Sequence, residues 1–74
     1  SGYFVGPNNQ PFYRIGKGDT LTEIAENHLG RTARWSQIVG MNRDILRDGN
    51  TLKIGMVLRL PHDASQVSLA PTVQ

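Results

Sequence analysis

Apolar positions along the chain change their period twice. Phe12-Tyr13-Arg14-Ile15 is aromatic and β-branched, which predicts a short strand. Pro11 before it suits the first residue of an edge strand. From Leu21 the spacing becomes helical: Leu21, Ile24, Ala25, His28 and Leu29 form one stripe, with Glu23, Glu26 and Asn27 facing away. A second helical stripe holds Trp35, Ile38, Val39 and Asn42, with Arg34, Gln37 and Arg43 outside. Ile45 and Leu46 extend that patch by a turn. Leu52, Ile54 and Met56 then alternate, and Val57-Leu58-Arg59-Leu60 predicts a second strand closed by Pro61.

The punctuation agrees with these periods. Gly16-Lys17-Gly18-Asp19-Thr20-Leu21 ends the first strand and opens the first helix. Thr20 and Glu23 have capping-box spacing, and Asp19 adds negative charge where the helix dipole favours it. Gly30 stands where the helix C-terminus wants a left-handed residue. Thr32 is a suitable N-cap for the second helix. Gly40 weakens that helix by about 1 kcal/mol relative to Ala, which suggests a close contact there. Asp48-Gly49-Asn50 is a turn signal. With so short a link near Gly30 to Thr32, the helices must form a tight hairpin. The predicted fold is a small α+β domain of βααβ order, with two helices packed on one face of a two-stranded antiparallel sheet. Phe12 or Tyr13, Ile15, Leu21, Ile24, Leu29, Trp35, Ile38, Val39, Leu46, Leu58 and Leu60 would fill its core.

The organised part spans residues 12–61. Residues 1–11, with Pro7, Asn8-Asn9-Gln10 and Pro11, read as a flexible lead-in, and Ser1-Gly2 fits an expression scar. Tyr3, Phe4 and Val5 are the alternative, a short strand or flap. Residues 62–74 have linker composition and are expected to be disordered. A 74-residue chain allows one domain of marginal stability. The lack of Cys excludes a disulfide framework and a thiolate zinc site. No apolar run is long enough for a transmembrane span, and no segment resembles a signal peptide. The chain reads as one domain of a larger protein.

Candidate chemistry is sparse. Gly16-x-Gly18 lacks the third glycine and the βαβ setting of a dinucleotide site. Glu23 and Glu26 share one exposed helix face, whereas glycosidase carboxylates flank a cleft. His28 and His62 have no second ligand at useful spacing, so no metal or cofactor is expected, and no catalytic residue. Net charge is +2, from eight basic residues between Arg14 and Arg59 against six acids. Two helices with Arg31, Arg34, Arg43 and Arg47 also fit a helix-turn-helix that meets phosphates. Against that, strands flank the pair and Trp35 lies on the core stripe, so a buried Trp35 would separate the readings. An exposed Trp35 would instead suit stacking on a sugar.

The order of residues 12–61 resembles the LysM domain family. Its signatures are Gly18-Asp19-Thr20-Leu21, Ile24-Ala25, Leu29-Gly30, Trp35-x-x-Ile38, Asn42 and Leu52-x-x-Gly55-Met56-Val57-Leu58-Arg59-Leu60-Pro61. The resemblance implies a non-catalytic module for N-acetylglucosamine-containing polymers, peptidoglycan foremost, anchoring a larger protein in the cell envelope or outside the cell. No nucleic-acid partner is implied, and the domain is expected to be monomeric. By position, Gly18, Asp19, Thr20 and Leu21 would form one wall of the glycan groove. Asn50, Thr51, Leu52, Lys53 and Ile54 would form the other. Turn formation or packing is the competing role for Asp19, Thr20 and Leu21. Ile54 and Met56 stand where many members carry Pro and Gln, and Lys53 stands at a position that can hold an aromatic. The alternative is a protein-docking module of an envelope or phage-tail assembly, which an exposed patch of Leu52, Ile54 and Met56 would favour.

Overall fold

The computed structural model describes residues 2–47 and 51–66. Strand β1 (Gly2–Val5), strand β2 (Pro11–Arg14), helix α1 (Leu21–Leu29), helix α2 (Trp35–Met41) and strand β3 (Val57–Arg59) follow in chain order. They form a three-stranded antiparallel sheet of order β1-β2-β3, with the helices on one face. The two-stranded sheet expected from sequence is therefore corrected by one strand.

That strand comes from the supposed lead-in. Asn8 and Asn9 both take positive φ, 60° and 59°, and the Gln10 N–H donates to the Pro7 carbonyl at 3.1 Å. Two left-handed residues in a row match the twist of a hairpin, and Asn tolerates that conformation better than other side chains. The Gly6 N–H donates to the Gln10 carbonyl at 2.8 Å, and β1 then pairs with β2 from Val5↔Pro11 to Gly2↔Arg14.

β2 is therefore central, not an edge, and Pro11 begins it without an N–H to give. The Gln10 side chain supplies the missing donor. Its Nε2 donates to the Leu60 carbonyl at 2.9 Å, opposite Pro11, while the Leu60 N–H donates to the Pro11 carbonyl at 3.0 Å.

The core forms where the apolar stripes meet the inner sheet face. Ile15, Leu21, Ile24, Ala25, Leu29, Ile38, Leu46, Leu58 and Leu60 are buried, with Tyr13 and Val39 packed against them. Trp35 is the exception among the expected core residues: it is 37% exposed. Helical spacing gives a direction around the axis, but Trp35 is the first residue of α2, where the core thins out. The Arg31–Arg34 link also departs from expectation. Thr32 does not cap α2; it starts a short 3-10 turn that has no side-chain cap. Gly40 faces open space, so no close contact explains it.

α1 begins and ends as expected. The Glu23 N–H donates to Thr20 Oγ1 at 3.2 Å, and Gly30 closes the helix with φ 82°. The extra turn after α2 is present as well, since the Ile45 and Leu46 N–H groups donate to the Asn42 carbonyl. Asn42 is fully buried and joins α2 to β3. Its Nδ2 donates to the carbonyls of Ile38 and Arg59, and its Oδ1 accepts from the Arg59 N–H.

Residues 63–65, within the stretch expected to be a disordered tail, are held by hydrogen bonds to the rest of the domain. Asp63 meets Arg34 with paired bonds of 2.6 and 2.9 Å. The Ser65 N–H donates to the His28 carbonyl, and His28 Nδ1 lies 2.8 Å from the Ser65 carbonyl. Residues 67–74 of that expected tail lie outside the described residues.

Candidate functional site

Two turns leave the sheet side by side at Ile15. The Ile15 N–H donates to the Met56 carbonyl, and the Ile15 carbonyl accepts from the Gly55 N–H, each at 2.8 Å. Ile15, just past the end of β2, thus faces two residues of the opposite segment, a bulge whose left-handed member is Gly55 at φ 92°.

Each turn has type II form. In Gly16-Lys17-Gly18-Asp19, the Asp19 N–H donates to the Gly16 carbonyl at 3.2 Å and Gly18 has φ 82°. In Lys53-Ile54-Gly55-Met56, the Met56 N–H donates to the Lys53 carbonyl at 3.0 Å, with Gly55 in the corresponding place. A type II turn needs positive φ at its third residue, and glycine takes it at no steric cost. The outward corners are Lys17 and Ile54, and Ile54 is 72% exposed.

The expected first wall divides between surface and scaffold. Gly18 is exposed. The Asp19 carboxylate accepts from the Gly16 N–H at 2.6 Å, which locks the turn. Thr20 is exposed, but its hydroxyl caps α1. Leu21 is buried in the core, so its side chain is spent on packing. Burial pushes the Tyr13 phenol up, and the neighbouring Asp19 and Glu23 carboxylates push it further. Tyr13 thus lies beneath this turn as a neutral hydroxyl.

In the second wall, Thr51, Lys53 and Ile54 are exposed, whereas Leu52 is half-buried against the core. Asn50 lies outside the described residues. Met56 is also half-buried, so Leu52, Ile54 and Met56 do not make one open apolar patch. Ile15 and Lys17 were not among the expected site residues. The Gly-x-Gly-Asp pattern already signalled the turn that exposes Lys17. Ile15 was legible only as core.

Other chemistry does not converge. Among the described residues, no cluster of three or more His, Asp or Glu could hold a metal ion. No described helix is long and apolar enough to cross a membrane. Of the four arginines of the helix-turn-helix reading, Arg34 is tied to Asp63. The half-exposed Trp35 does not separate the readings, but both helices pack on a sheet.

A family model described as LysM domain matches residues 13–61. No curated protein and no solved structure matches the chain.

Proposed function

The chain belongs to the LysM domain family of carbohydrate-binding modules, and on that premise we propose that it binds N-acetylglucosamine-containing polymer without catalysis. The observation that carries this reading is the pair of glycine turns held side by side over Ile15. Gly18, Ile54 and Gly55 are exposed there, so turn backbone and an apolar side chain share one surface. Backbone N–H and C=O groups can hold an acetamido group, and Ile54 can cover its methyl or the C–H face of a sugar. Thr51, Lys53 and the exposed edge of Leu52 extend that surface. Asn50 belongs to the same proposed wall. Asp19, Thr20 and Leu21 serve it chiefly by setting the turn and the start of α1.

Peptidoglycan is the polymer we assign, with the module anchoring a larger protein in the cell envelope or outside the cell. LysM domains commonly occur in proteins of those places. The domain acts as a monomer on one glycan strand.

The test is an amide chemical-shift titration with N-acetylglucosamine oligomers of increasing length. Saturable shifts over residues 18–21 and 50–55, growing with oligomer length, support the reading. A folded sample whose amides do not respond at high ligand concentration would eliminate it. Protein docking would then be the better account.

A further inference from the structure

Each of the two turns carries one cation whose charge the glycan reading does not use. Lys17 is the outward corner of the first turn, and Lys53 is the first residue of the second. Each stands two residues from the Ile15–Gly55 pairing, at most about 7 Å of chain. Both are exposed, and neither has an ion-pair partner among the described residues. Two acids elsewhere are engaged, Asp44 by Arg59 and Asp63 by Arg34. Asp19, the acid nearest Lys17 in sequence, turns its carboxylate onto the Gly16 N–H and toward Tyr13. Glu23 lies in the first turn of α1.

We propose that Lys17 and Lys53 form a cationic rim that favours carboxylate-bearing glycan over neutral glycan of the same shape. This rests on the glycan reading above and refines its substrate class. A neutral homopolymer offers the rim nothing. A strand with a carboxylate on every second sugar, on a lactyl ether or its attached peptide, offers complementary charge along its length.

The experiment titrates the 74-residue chain with three glycans of equal length. One is an N-acetylglucosamine oligomer. The second alternates N-acetylglucosamine with N-acetylmuramic acid and carries free lactyl carboxylates. The third is the second with those carboxylates amidated. Exposed charge pairs are individually weak, so the expected preference for free over amidated carboxylate is about three- to tenfold at about 0.01 M salt. It should collapse toward unity at about 1 M salt. In K17Q/K53Q the same ratio should fall to about one at low salt, whatever happens to the neutral oligomer. Equal affinity for the free and amidated forms overturns the rim, as does a preference that survives in the double variant. Binding of the neutral oligomer in either case leaves the glycan reading standing. Failure of all three to bind a folded chain removes that reading, and the rim with it.

Discussion

Ile54 sits at the second position of a type II turn, where φ is near −60°, the value proline imposes. Its N–H has no bond to lose among the described residues. Ile54→Pro should therefore stiffen the unfolded chain more than it disturbs the folded one, adding about 0.4–1 kcal/mol. Thermal melting should show a rise of a few degrees. A fall would mean that Ile54 departs from the turn geometry assigned here. Gly55→Ala should act in the opposite sense, because its φ of 92° disfavours any side chain although nothing crowds the site. The first turn was legible in Gly16-Lys17-Gly18-Asp19 because two glycines and an aspartate announce it. The second was not, because Leu52, Ile54 and Met56 mimic the alternation of a strand. Gly55 breaks that alternation by inserting a bulge, and Ile54 ends up at a corner instead of in a ladder.

Elements whose signal is local were readable, and elements whose signal depends on partners were not. α1 carries its stripe, cap and terminal glycine within its own residues, so its limits followed from sequence. β1 was legible only as the alternative reading of Tyr3-Phe4-Val5, because its hairpin turn puts two non-glycine residues at positive φ. The stretch after β3 looked like linker because its anchors, Arg34 and His28, lie far away in sequence. Asp63 gives that stretch a pH dependence. The hydrogen-bonded Arg34 guanidinium holds its carboxyl below the usual carboxylate range. The resulting stability is present in full above the unfolded value, about pH 4, and disappears as acid protonates the folded carboxyl. Asp63 is 61% exposed, so solvent screening limits the effect to about 1 kcal/mol or less. Asp63→Asn should accordingly melt lower than the parent from neutral pH down to about pH 5, and the gap should close in stronger acid. A gap of constant size down to about pH 2 would assign the contribution to packing instead of charge.

On the scale of the whole molecule, both ends of the described chain close on one histidine. The Tyr3 ring stacks on His28 at 5.1 Å, and Tyr13 approaches the same imidazole at 5.4 Å. The Tyr3 hydroxyl donates to the Ala64 carbonyl, next to the Ser65 carbonyl that His28 Nδ1 meets. The family match, residues 13–61, contains neither β1 nor this C-terminal segment. A chain of this size has little stability to spare, so the closure should decide whether the two glycine turns are held in place at all. Removing residues 1–10 deletes β1, opens one edge of β2 and takes both the Tyr3 ring and the Gln10 donor away. A half-buried aromatic and several ladder bonds together stabilise the domain by roughly 2 kcal/mol or more. For a domain of this length that corresponds to a melting temperature lower by about 8–16 °C. The shortened chain should also lose amide protection at Tyr13 and Leu58, which face each other across β2 and β3. If it instead melts within a degree or two of the full chain, the domain is stable without β1. The added strand would then have to be explained by what it presents to solvent, the stacked Phe4–Phe12 pair on the outer sheet face.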